Sequence, residues 1–121
     1  TVALHVAERE VYVPDYGTNS IAVFDMNGTL LRTIGIEREG KGDASLTTLT
    51  VLFFDAPTSQ LLVADYVYEK QRIQIIRPAG KGTFVRQIGN IRGSGNGQLN
   101  HPMDVTMHPV TRHIFVCDTF K

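Results

Sequence analysis

Three histidines, His101, His108 and His113, fall within a stretch of thirteen residues, and imidazole is a common ligand for zinc. Zinc asks for three or four donors at tetrahedral angles. His108 stands at a turn between two apolar runs and His113 opens the second of them, so the three are not expected to converge on one ion. Three carboxylates, Asp15, Asp65 and Asp118, recur at the ends of similar segments, as a ring of ligands would. An Asp at a strand end also accepts hydrogen bonds from loop N–H groups, and one repeated structural task explains three occurrences more simply. They are therefore read as structural turn residues, with no metal assigned. The run Gly93-Ser94-Gly95-Asn96-Gly97 is similar to a phosphate cradle, but such a cradle needs a helix N-terminus after the glycines. Here Gln98-Leu99-Asn100-His101-Pro102 leads into a strand, which makes the run a crossing segment. The lone Cys117 is expected as a small buried hydrophobe within a strand over 113–117, and no Gly-x-Ser-x-Gly nucleophile turn is present. No catalytic constellation and no cofactor follow from these residues.

What positions them is a repeat. The segment from Val11 to Gly35 reads VYVPDYGTNSIAVFDMNGTLLRTIG, and Gln60 to Gly89 reads QLLVADYVYEKQRIQIIRPAGKGTFVRQIG. Val13 falls on Val63 and Asp15 on Asp65. After a two-residue insertion Ile21 and Val23 meet Ile73 and Ile75, and after two more Gly28–Gly35 meets Gly82–Gly89. His108–Asp118 matches both His5–Asp15 and Asp55–Asp65 without a gap. Each copy reads as four short strands. The first covers Val2 to Leu4, Thr50 to Phe54, and Asp104 to Met107; the second covers Val11 to Val13, Leu61 to Ala64, and His113 to Cys117. The third covers Ile21 to Phe24 and Ile73 to Ile76, and the fourth Thr29 to Ile34 and Thr83 to Ile88.

Continuous apolar character in the second strand predicts burial on both of its faces. The Arg and Gln residues of the fourth predict the wettest strand. A three-stranded piece of this kind has open edges and an uncovered apolar face, so copies must cover one another. Blade-like spacing separates the aspartates, with no sustained helical period and eleven glycines punctuating short strands. The architecture expected is therefore all-β, a β-propeller built from blades of four antiparallel strands. The first blade would cover 1–35, the second with its preceding crossing 36–89, and a third crossing with half a blade 90–121.

Composition narrows the class. Hydrophobic residues make up 42% and charged residues 20% of the 121, with zero formal charge, as in an ordinary soluble globular chain. The longest apolar run is far too short to span a bilayer, and the beginning TVALHVAERE shows no basic start before an apolar block. A single cysteine fits a reducing compartment, so an intracellular, cytoplasmic setting is expected. Charge is uneven: residues 69–92 hold one acid against Lys70, Arg72, Arg77, Lys81, Arg86 and Arg92.

The segment VPDYGTNSIAVFD, the glycine-rich stretch, and GQLNHPMDVTMHP from Gly97 to Pro109 resemble the NHL repeat. In that family the loop commonly reads Asp-x-Gly-x-Asn-Arg-Ile. Here Ser20 replaces the Arg in the first copy, and the second keeps Arg72 but has Gln71 for the Asn and two extra residues. The resemblance implies a ring, usually of six blades, of which this chain holds an incomplete part. The remaining blades would come from a longer chain or from self-association.

In such a ring the crossings and the loops after second strands open on one face. That face would gather Tyr16, Tyr66, Tyr68, Lys70, Arg72, Arg92 and His101. Aromatic and basic groups together suit a protein partner, so a non-catalytic interaction scaffold is the first expectation. Single-stranded RNA, stacking on rings and meeting cations, is the second. A metal-dependent lyase or lactonase on a similar ring is the third.

Overall fold

Short runs rich in Val, Ile, Leu and Phe, interrupted by Asp, Gly and Asn clusters, leave little for the backbone to form but strands and tight turns. The computed structural model describes residues 1–35, 46, 48–66 and 70–120, and contains ten strands there and no helix. They are β1 (Ala3–His5), β2 (Glu10–Asp15), β3 (Ser20–Asp25), β4 (Leu30–Ile34), β5 (Leu49–Asp55), β6 (Gln60–Tyr66), β7 (Lys70–Arg77), β8 (Thr83–Ile91), β9 (Pro102–Met107) and β10 (Ile114–Asp118). Each sheet follows chain order: β1-β2-β3-β4, then β5-β6-β7-β8, then the hairpin β9-β10, with every pairing antiparallel.

The repeat is written into the backbone as well as the sequence. Arg9, Ser59 and Arg112, each four residues beyond His5, Asp55 and His108, all adopt a left-handed φ, at 57°, 51° and 64°. A register shift falls between Val23 and Phe24 in β3, and between their counterparts Ile75 and Ile76 in β7. Val23 lies opposite Arg32, and Ile75 lies opposite Arg86. Such local agreement between copies is expected only if each was built on the same plan.

Sheet packing follows from which faces are apolar. β5 lies against β1 and β2 of the first sheet, and β9 lies against β5, β6 and β7 of the second. One core holds Tyr12, Ile21, Val23 and Ile34 against Leu61, Val63 and Ile76, and the other holds Leu62, Ala64, Ile73 and Ile75 against Leu99 and Val105. Alternate residues of β6 thus feed opposite cores, as the two-residue period of a strand requires. Leu61 through Ala64 are 0% exposed, and the continuous apolar run is explained by a sheet sandwiched between two others.

The outer sheets correct two expectations. Full burial of every second strand holds for β6 but not for β2, where only Tyr12 is buried, or for β10, which alternates between intermediate and exposed. Among the described residues only the middle sheet has a neighbouring sheet on both faces. Cys117 is exposed rather than buried: it stands at the position of Ala64, whose cover is a following sheet. Within the two four-stranded sheets the fourth strands are the wettest, β8 mixing exposed and half-buried positions and β4 doing so up to the buried Ile34. β8 also runs on to Ile91 and β9 starts at Pro102, so the crossing is shorter than the sequence suggested.

Candidate interaction face

The Asp-bearing ends of the second strands are tied to the crossing segments that precede them. Asp65 accepts the backbone N–H of Thr48 at 3.0 Å, and Asp118 accepts that of Asn100 at 2.8 Å. Each carboxylate therefore pins the arriving chain against its sheet, whereas Asp15 serves its own turn through Gly17 N–H and the Thr18 hydroxyl. Asp65 is fully buried and is matched by charge-assisted bonds from Arg72 at 2.9 Å and Gln74 at 2.9 Å, which is what a carboxylate removed from water requires.

On this framework sits an aromatic cluster. The Tyr66 and His101 rings lie 4.3 Å apart between centroids, and Phe120 meets His101 edge-on at 5.3 Å. Gln71 accepts the His101 N–H through its side-chain oxygen at 2.8 Å, and the His101 carbonyl accepts from Thr119. His101 itself takes a left-handed φ of 75° just before Pro102. Asn100 ties the neighbours together, accepting from Arg92 Nε at 2.9 Å and donating from its side-chain amide to the Phe120 carbonyl at 3.2 Å. Phe120 is 63% exposed, and Arg92 is exposed beside it. The result is a ring surface with a cation at its rim, held by residues whose positions are already fixed by backbone bonds.

The residues expected on this face separate into groups. Tyr66, Arg92 and His101 are brought together, and Lys70 stands at the same end, opposite Ile91 in the β7–β8 pairing. Arg72 is 3% exposed and committed to Asp65, so its charge faces inward. Tyr16 occupies the corresponding turn of the first sheet, 62% exposed, and among the described residues makes no ring contact with the cluster. Tyr68 lies outside the described residues. Phe120, Asn100 and Gln71 are not named as site residues by the sequence: Phe120 and Asn100 fall outside the segments that recur between copies, and Gln71 reads only as the residue standing where the NHL-repeat loop has Asn.

The basic stretch does not form one patch. Arg77 pairs with Thr83 at the far end of β7, where Lys81 also lies, while Lys70 and Arg92 remain at the aromatic end. The histidines divide likewise. His108 accepts N–H bonds from Val110 and Thr111 through Nδ1 in the β9–β10 turn, a strand length from His101. Among the described residues no group of three or more His, Cys, Asp or Glu is placed to hold a metal ion.

At the far end a cavity of about 410 Å³ opens between the first two sheets, lined in part by His5, Glu10, Tyr12, Arg32 and Gly80. Arg32 grips Glu10 through two bonds, at 2.6 and 3.1 Å, and reaches across to the carbonyls of Pro78 and Gly80 at 2.9 and 3.0 Å. Tyr12 adds a hydroxyl bond to Glu10 at 2.8 Å. The Arg32 guanidinium holds the Glu10 carboxyl below its ordinary range against the opposing pull of burial, and burial with the adjacent Glu10 pushes the Tyr12 phenol up. Arg32 has spent its donors on clamping one sheet to the next, and the cavity reads as the gap beside that clamp.

No family model matches this chain, and no curated protein matches it.

Proposed function

We propose that this chain is a segment of an NHL-type β-propeller whose aromatic end is a protein-interaction surface. Three sheets in series, each packed face to face on the next with the same register, support the propeller reading. The observation that carries the function is the cluster of Tyr66, His101 and Phe120 with Arg92 at its edge. Tyr and Arg are enriched among the residues that carry the binding energy of protein interfaces, Tyr because it buries a large area with few rotatable bonds and a polar tip, Arg because its planar guanidinium presents a fork of donors and stacks on rings. Gln71 and Asn100 already hold the backbone of His101 and Phe120, so the segment that carries two of the rings loses little freedom when a partner arrives.

RNA binding is the weaker reading, because the cations that would meet a phosphate backbone are split between two ends of the sheet and Arg72 is internal. The test is peptide selection against the wild-type chain, followed by titration of the selected peptide on Tyr66→Ala and Arg92→Ala. Truncating an anchor costs on the order of 2 kcal/mol, or roughly 30-fold in Kd. Peptides that bind both variants as well as wild type refute the reading. Strong binding of a single-stranded oligonucleotide that fades steeply with salt would favour RNA instead.

A further inference from the structure

The cavity between the first two sheets lies where the chain departs from its own repeat. By the repeat register the β7–β8 turn is two residues longer than the β3–β4 turn, and Pro78, Ala79 and Gly80 of that longer turn form one wall. Arg32 holds this wall in place through the Pro78 and Gly80 carbonyls. The second departure is a missing ion pair. Between the second and third sheets Arg112 bonds the Asp55 carboxylate and ties the two turns together. The corresponding residues between the first and second sheets are Ser59 and His5, and both line the cavity. A hydroxyl and an imidazole thus stand where the other junction has matched charges.

The polar lining is only partly spent. The His5 ring stacks on Phe54 at 4.2 Å between centroids, and its Nδ1 accepts the Glu8 N–H at 3.4 Å, which leaves Nε2 as the donor of the neutral ring. Glu10 and Arg32 neutralise each other. Glu8 and Arg77 line the same cavity from the first and the second sheet; both are exposed, and among the described residues neither side chain has a hydrogen bond or an ion pair. One charge of each sign is therefore unused. A simple anion would face Glu8, and a simple cation would face Arg77, whereas a molecule with both signs meets each with its opposite. At about 410 Å³ the space falls within the range of small-molecule sites. We propose that this cavity binds a small zwitterion of the amino-acid class, its carboxylate taken by Arg77 and its ammonium by Glu8, with His5 and Ser59 offering neutral hydrogen bonds alongside.

Free α-amino acids are the probes, each titrated into the full chain and followed by amide NMR beside its N-acetyl and carboxamide derivatives, which lack one charge apiece. At least one amino acid is expected to shift the amides of Glu8, Ser59, Arg77 and Gly80 saturably, and each of its derivatives to bind about 10-fold more weakly. Arg77→Met is expected to weaken the amino acid by a similar factor and to leave the carboxamide unchanged. Glu8→Gln is expected to weaken the amino acid likewise and to leave the N-acetyl form unchanged. Both positions are exposed, where the fold has least at stake, and circular dichroism checks that the variants remain folded. Saturable shifts from none of the amino acids overturn the proposal. So does a singly charged derivative, or acetate, that binds as tightly as the amino acid, or a Kd that neither variant changes. The cavity and the Tyr66 cluster lie at opposite ends of β6, so failure here leaves the interaction-face reading standing.

Discussion

Arg32 shows how one side chain can join two sheets. Its guanidinium is fixed by a two-point bond to Glu10 on its own sheet, and that same planar fork reaches the Pro78 and Gly80 carbonyls of the next. Replacing it by Ala strands a carboxylate that is only 14% exposed, and loss of charge-assisted bonds at such a site is worth about 2 kcal/mol. Glu10 has a folded-state pKa below its ordinary 4.5. Its contribution is therefore complete above that value and is lost as pH falls through the lower folded value. At Asp55 burial pulls upward, but the Arg112 and Thr58 hydrogen bonds outweigh it, so its titration has the same sign. Chemical denaturation across the acid range is expected to show stability dropping below pH 4.5 in wild type. Glu10→Gln should flatten part of that fall; an unchanged slope would show that the clamp is not linked to folding. At this scale the sequence offered Asp65 as a turn residue that accepts loop N–H groups, without saying whose. The Thr48 donor arrives from the preceding crossing, a choice that only packing makes.

Turns and bulges belong to the scale of the element. Gly28 and Gly89 both require a left-handed φ, at 86° and 72°, but their surroundings differ. A methyl group at Gly28 meets nothing within 4 Å, whereas one at Gly89 would sit 2.7 Å from the Gln71 carbonyl and 3.1 Å from Leu99. Gly28→Ala is thus expected to cost about 1 kcal/mol for backbone strain alone, and Gly89→Ala about 3 kcal/mol because the β7-β8 pairing must also yield. Thermal unfolding of the two variants measures the difference directly; equal losses would mean that the close approach at Gly89 is relieved at no cost. The glycines were legible because the copies align on them. The length of β8 was not: Asn90 and Ile91 lie beyond the last aligned glycine, and their inclusion reflects pairing with Gln71 and Lys70, by which β7 begins two residues earlier than its counterpart β3.

For the molecule as a whole, protection should follow the number of covered faces. Amides of β6, whose side chains feed both cores, are expected to exchange about 100-fold more slowly than those of β10, equivalent to roughly 3 kcal/mol of opening free energy. Hydrogen exchange resolved by NMR tests this, and uniform protection across the three sheets would contradict it. The aromatic face and the stacking faces are separate consequences of the same architecture, one at the loop end of the sheets and the other along their flat sides.

The amino-acid sequence alone determined the strand plan, the repeat register and the turn residues, because these depend on local pattern: alternation, β-branching, and glycine or asparagine where φ must be positive. Only the tertiary structure decided which strands are covered on one face and which on two. That follows from the number of neighbouring sheets, a quantity the pattern of Cys117 and Ala64 expresses identically. It also decided that Arg72 turns inward to Asp65 while Arg92 stays at the rim, since both are arginines near a strand end and only the carboxylate buried beside the first distinguishes them.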